Sequence, residues 1–202
     1  MLKVDKIYGL VLSGGKSTRM GVDKGMIDYH GMPQREYLYN LLKPLCTSTY
    51  MSVREEQVPE FSEEYKLIVD RDEYKGPYNG LLSAYHMDPT ASWLVLACDL
   101  PLMDQNALKY LIQERDSNKL ATAFATRDSG LPEPLCAIWE PTGLEKSIAY
   151  LNAGNGSCPR KFLINEDILL LYPENEEVLL NANYKDDYEK VMTKLSQIPT
   201  DK

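Results

Sequence analysis

Leu10-Val11-Leu12-Ser13-Gly14-Gly15-Lys16-Ser17-Thr18-Arg19-Met20-Gly21-Val22-Asp23-Lys24 is the passage on which the fold turns. The residues leading into it, Lys6-Ile7-Tyr8-Gly9, continue into Leu10-Val11-Leu12 as a short apolar run suited to a buried strand. The chain then changes to small and basic residues. Glycine lets backbone N–H groups approach an anion closely, and Lys16, Arg19 and Lys24 bring positive charge to it. Taken alone, such a loop reads either as a phosphate cradle or as a glycine-rich surface turn with incidental cations. It is not a P-loop. Gly15-Lys16-Ser17 has the right ending, but the register that a P-loop requires puts Leu10 where its first glycine belongs.

The totals set bounds on what surrounds this loop. At 202 residues the chain reads as one domain with a substantial core, and its 44% hydrophobic and 26% charged residues are ordinary for a globular protein. No apolar run approaches the ~20 residues that span a bilayer, so no membrane partner is expected. Met1–Lys6 leads straight into the first strand without an apolar leader, which makes the cytoplasm the expected location. The net charge of −8 argues against nucleic-acid binding, which needs a basic face, but leaves room for a local basic pocket. Cys46, Cys98, Cys136 and Cys158 are widely spaced with no Cys-x-x-Cys; they read as free thiols, with Cys98 and Cys136 in core runs. With only His30 and His86 available, a histidine-rich zinc site and a Ser-His-Asp triad both lack support.

In chain order, the pattern predicts an apolar stub at 26–29 and a helix opened by Pro33 that carries Tyr37, Leu38, Leu41, Leu42 and Leu45. Strands follow at 49–53 and 66–70, with a charged loop around Pro59 between them. A helix is expected over 77–87, then the strongest strand of the chain, Trp93-Leu94-Val95-Leu96-Ala97-Cys98, ended by Asp99. Apolar runs of this kind without alternation suit a strand covered on both faces. Asp104 caps a helix over 105–115. Strands at 120–126 and 135–139, helices at 141–152 and 159–165, and a strand at 168–172 come next. An extended piece at 178–181 and a helix over 184–195 close the chain. Alternating strands and helices indicate an α/β fold with a mostly parallel sheet flanked by helices on both faces, and such sheets bind ligands at the carboxyl ends of their strands. The basic loop, Asp70 and Asp99 all fall at such ends.

Asp99 follows the best strand and is held at the sheet edge, where a carboxylate suits Mg²⁺ bound to a nucleotide. It could instead cap the next helix, but Asp104 is better placed to do so. Asp70 reads equally as a ligand or as a turn residue. Asn181 and Asn183 alternate along an extended stretch and would face the same side.

Taken together, these pieces resemble the molybdenum cofactor guanylyltransferases of the nucleotidyltransferase superfamily. The shared pattern runs from Gly-Gly-x-Ser-x-Arg-Met-Gly-x-Asp-Lys at 14–24 to the strand ending in Asp70 and the Gly-Pro-x-x-Gly at 76–80. It continues through Cys-Asp-x-Pro at 98–101, Glu-Pro-Leu at 133–135, Ser-x-x-Arg-x-Phe-Leu at 157–163 and Asn-x-Asn at 181–183. The resemblance implies a Rossmann-like nucleotidyltransferase fold. It implies transfer of GMP from GTP to molybdopterin cofactor with release of pyrophosphate, dependent on Mg²⁺. By the same resemblance Leu12, Ser13, Gly14, Gly15 and Asp70 would hold the nucleotide. Arg19 and Lys24 would neutralise the triphosphate, and Asp99 would bind the metal. Arg160, Lys161, Asn181 and Asn183 would face the pterin, and proteins that mature molybdoenzymes would be transient partners. The chain departs from the pattern in two places. Met20-Gly21-Val22-Asp23-Lys24 has one glycine where two are common, and Ser52-Val53-Arg54-Glu55 lacks an expected asparagine. Both bear on the choice of base rather than on the reaction.

Overall fold

The computed structural model describes residues 6–15 and 23–197. Among the described residues seven strands form one sheet: β1 (Ile7–Leu12), β2 (Ser48–Val53), β3 (Leu67–Val69), β4 (Ser92–Ala97), β5 (Ala121–Ala125), β6 (Pro132–Trp139) and β7 (Leu169–Leu171). Their order across the sheet is β3-β2-β1-β4-β6-β5-β7. β6 alone runs against its neighbours, pairing antiparallel with both β4 and β5, and the other pairs are parallel.

The pleat of β4 shows how the sheet divides its burial. All six of its residues are buried. Leu94 and Leu96 point to one face, where they meet Leu38 and Leu42 of α1 (Gln34–Leu42) and Leu108 and Leu111 of α3 (Gln105–Gln113). Trp93 and Val95 point to the other face. There they meet Tyr78, Leu81 and Leu82 of α2 (Tyr78–Met87), Leu144 of α4 (Pro141–Asn152) and Phe162 of α5 (Pro159–Ile164). Period-two alternation with apolar residues on both sides makes a strand that is covered twice. Each such Leu or Val contributes about 1.5–3 kcal/mol by burial. The last helix, α6 (Lys185–Leu195), packs Val191 into a smaller cluster with Tyr29, Leu102 and Ala182.

Three expectations change. The apolar stub at 26–29 is preceded by a 3-10 turn at Lys24–Met26, and beyond it Asp28 makes only an isolated bridge to Pro33. The piece expected to extend over 178–181 is instead a 3-10 turn at Glu176–Leu179, capped by the Asn175 side chain on the Glu177 N–H. β6 begins at Pro132, earlier than expected, and takes in Glu133-Pro134-Leu135. Its pairing with β4 ends at Cys136, so Pro132 and Pro134 lie on an overhang where β4 asks for no N–H donor.

β1 lies between β2 and β4. The chain leaves β1 through α1 towards β2 on one side, then returns through α2 to β4 on the other. This reversal opens a crevice at the carboxyl ends of β1 and β4, the place where open α/β sheets take ligands.

Candidate functional site

A cleft of about 620 Å³ occupies that crevice. Leu12, Ser13, Gly14, Gly15, Lys24, Asp70 and Asp99 all line it, and so do Ser52, Arg54, Tyr74 and Asn79. Arg19 lies outside the described residues.

At one end of the cleft, Asp99 follows β4, and its Oδ2 is 3.9 Å from Lys24 Nζ. Burial pushes the Asp99 carboxyl above the ordinary aspartate range, against the pull of Lys24. Asp99 is not the cap of α3: the Ala107 N–H donates to Asp104 Oδ1 at 2.8 Å. The Asp99 carbonyl accepts from the Ala182 N–H at 2.9 Å, which brings the segment before α6 to the same place. There Lys24 Nζ donates to Asn183 Oδ1.

At the other end, Ser52 Oγ donates to Asp70 Oδ1 at 2.6 Å. Burial raises the Asp70 carboxyl above its usual range, the Ser52 bond opposes this, and Asp72 adds to the rise while Arg54 and Asn79 oppose it. A Cβ at Gly14 would stand 2.4 Å from Asp70 Oδ2, so the loop reaches this carboxylate only through a residue without a side chain.

The cleft therefore joins a strand-end carboxylate beside an ammonium group to a loop glycine, Gly14, packed against a second carboxylate. The described residues contain no cluster of three or more metal-ligating side chains. Asp99 alone suits a cation that takes most of its oxygens from phosphate and water, as Mg²⁺ does, and not one caged by protein.

The model of the MobA-like NTP transferase domain matches residues 9–168. The chain belongs to that family. It is 37% identical over 186 residues to a molybdenum cofactor biosynthesis bifunctional protein of Synechocystis sp., covering 92% of this chain and 53% of that protein. The chain thus spans about half the length of this relative. It is 21% identical over 194 residues to a molybdenum cofactor guanylyltransferase of Shewanella sp., covering 95% and 98% of the two chains. The fold of a molybdopterin-guanine dinucleotide biosynthesis protein A from Archaeoglobus fulgidus superposes with a TM-score of 0.77 at 20% identity, over 95% of this chain and 100% of that one.

In this MobA-like domain a second cavity of about 180 Å³ opens beyond Asp99, lined by Glu133, Leu135, Arg160 and Asn181 among others. Arg160 donates from Nη2 to Glu133 Oε2 at 2.7 Å and from Nε to the Pro132 carbonyl at 3.0 Å, which seats it on the overhang of β6. Burial raises the Glu133 carboxyl, Arg160 opposes the rise, and the nearby Asp99 adds to it. Asn181 and Asn183 both reach the site but divide it, one lining this cavity and the other holding Lys24. Lys161 lines neither cavity and is exposed. Adjacent residues on a helix point about 100° apart, so Arg160 and Lys161 do not share a face.

Arg54 and Gln57 were not singled out from the sequence as site residues. Arg54 Nη1 donates to the Gly14 carbonyl at 2.7 Å, and Gln57 Nε2 donates to the Ser13 carbonyl at 3.3 Å and to Asp23 Oδ2 at 3.1 Å. In the sequence Arg54 stood only within the segment 52–55 that lacks an expected asparagine. No described helix is long and apolar enough to cross a membrane.

Proposed function

We propose that this domain is a Mg²⁺-dependent molybdenum cofactor guanylyltransferase that transfers GMP from GTP to the phosphate of molybdopterin and releases pyrophosphate. The observation that carries this reading is the pairing of Lys24 with Asp99 at one end of a cleft whose other end is Gly14 against Asp70. Its span matches that of the Shewanella guanylyltransferase along nearly the whole of both chains.

Backbone groups of Leu12–Gly15 hold the nucleotide, Asp70 contacts it, and Lys24 with Arg19 neutralises the triphosphate. Asp99 would hold Mg²⁺, which supplies charge neutralisation on the phosphate oxygens when bound. The acceptor phosphate is already an anion, so no side chain has to remove a proton from it. Lys24 contributes by stabilising charge as it develops on the leaving pyrophosphate, and the rigid end of β4 keeps Asp99 aligned with it. Arg160, Asn181 and Asn183 lie on the side from which molybdopterin would approach. Lys161, pointing elsewhere, is left out of the acceptor site. We place the protein in the cytoplasm, with molybdoenzyme-maturation proteins as transient partners.

The test is a melting panel with GTP, CTP, ATP and UTP, each with Mg²⁺, because a ligand that binds only the folded state raises its stability. GTP is expected to raise the midpoint most, and pyrophosphate is expected to appear only when molybdopterin is added. Stabilisation by CTP with no response to GTP would overturn the guanylyl assignment. Pyrophosphate release without any acceptor would overturn the transfer.

A further inference from the structure

Gly14 and Gly15 are two glycines at a strand end, and nothing in their own side chains fixes how their peptide planes turn. The β2–β3 connection fixes them. Gln57 Nε2 donates to the Ser13 carbonyl at 3.3 Å, and Arg54 Nη1 donates to the carbonyls of Gly14 at 2.7 Å and Gly15 at 3.3 Å. In a trans peptide the carbonyl and the following N–H point in opposite directions, and no described peptide is cis. Holding the carbonyls of Ser13 and Gly14 on the Arg54 side therefore turns the N–H groups of Gly14 and Gly15 to the opposite side. Neither N–H has a hydrogen-bond partner among the described residues, and both glycines line the cleft. Two adjacent unpaired N–H groups turned to one side are donors that an anion can take.

The clamp is itself held. Glu56 Oε1 accepts from Arg54 Nε at 2.7 Å, and the Arg54 N–H donates to Gln57 Oε1 at 3.0 Å. The Arg54 side chain is 22% exposed, and Gln57 is buried at 1%.

We propose that Arg54, with Gln57, is a positioning residue: it orients the Gly14 and Gly15 peptides so that their N–H groups are preset for the β- and γ-phosphates of the nucleotide. This rests on the nucleotide-binding reading above and adds to it the device that shapes the phosphate site. Arg54 lines the cleft but acts through the loop carbonyls, its guanidinium being engaged by them and by Glu56. Ordering two glycines before the ligand arrives removes an entropy loss that binding would otherwise carry.

The experiment measures the affinities of GTP and GMP by titration calorimetry for the wild type, Arg54→Ala, Arg54→Lys and Gln57→Met, with a melt of each free protein. Arg54→Ala is expected to weaken GTP on the order of tenfold to a hundredfold, as one or two charge-assisted hydrogen bonds to phosphate are lost, and to leave GMP nearly unchanged. Lysine keeps the charge but lacks the planar group that bonds Glu56 through Nε while Nη1 holds the carbonyls, so Arg54→Lys should recover little of the loss. Gln57→Met removes no charge and leaves the Arg54 side chain its Glu56 and Gly14 partners, while the bonds to the Ser13 carbonyl and from the Arg54 N–H are lost; it should show a smaller loss confined to GTP. Equal losses for GMP and GTP would overturn the proposal, as would full recovery by lysine or undiminished GTP binding in Arg54→Ala. A wild type that prefers another triphosphate in the melting panel sinks the guanine assignment, and the same variants then test the clamp with that triphosphate and its monophosphate. A wild type that binds no triphosphate removes both.

Discussion

Asp99 carries opposed demands. Its carboxyl is raised by burial despite Lys24, so in the free protein the ionised form is held at a disadvantage. A carboxyl whose folded pKa lies above its unfolded value stabilises the fold when protonated, and that contribution is lost as pH rises through the folded pKa. Asp99→Asn removes the charge and keeps the shape. Without nucleotide or metal, the variant is expected to melt at or above the wild-type temperature at neutral pH. The difference should grow from the ordinary aspartate pKa up through the raised one and then level off. Turnover should move the other way, falling on the order of 10²–10³ as a transition-state electrostatic contact is lost. Melts from pH 3 to 8, with pyrophosphate release against Mg²⁺ concentration, check both halves. A variant that melts lower yet keeps its Mg²⁺ midpoint would make Asp99 a structural residue. At this scale the sequence was readable where chemistry and spacing coincide. Lys24, Gly14, Asp70 and Asp99 were marked by their place after strands and came together in one cleft. Arg54 was not readable, because its bonds reach across forty positions to carbonyls that no sequence pattern labels.

The strands and helices were legible from period and punctuation, and the misses share a cause. The sequence predicts that β6 starts at 135, after Pro134, because proline rarely enters a sheet interior. Only the three-dimensional stagger of β6 past β4 shows that Pro132 and Pro134 lie beyond the stretch paired with β4, while Pro132 faces Ala125 of β5. The turn at Glu176–Leu179 is fixed by the Asn175 cap, a local bond stronger than the weak extended preference of Val178-Leu179. One glycine settles how α4 meets the sheet. A Cβ at Gly143 would stand 2.1 Å from the Leu120 carbonyl oxygen. That oxygen cannot swing aside freely: it accepts from the Glu140 N–H at 3.1 Å, while the Leu120 N–H donates to Asp167 at 3.0 Å. Gly143→Ala gains about 1 kcal/mol of helix propensity but forces overpacking against backbone, typically about 1–3 kcal/mol and larger at so short a contact. The variant is expected to melt several degrees lower while its folded fraction binds GTP with wild-type affinity. A midpoint at or above wild type would mean that α4 shifts at no cost.

The whole molecule turns on the β4–β6 pair. β1 to β4 carry the glycine loop, Asp70 and Asp99, whereas β5 to β7 and α4 to α6 carry the second cavity, Arg160 and the asparagines. A chain that could divide into a nucleotide half and an acceptor half is joined by a central antiparallel ladder from Trp93↔Trp139 to Leu96↔Cys136. All four of these residues are buried, and each face of the sheet has one core that runs across the join. We propose that the halves fold as a single unit, and calorimetry tests it. Two-state unfolding gives one transition whose van't Hoff and calorimetric enthalpies agree. GTP at about a hundred times its Kd should add about 2.7 kcal/mol, which for a chain of this size moves the entire peak up by about 5–10 °C. Gly143→Ala tests the coupling from the opposite side, because it lies on α4, far along the sheet from the glycine loop. If the ladder joins the halves, the variant lowers the same single peak that GTP raises, and ligand and substitution shift it independently. If the halves unfold separately, the scan shows two peaks, one moved by GTP alone and the other by the substitution alone. The buried tryptophan pair at the join favours the single peak, since separating the halves would expose both indoles to water.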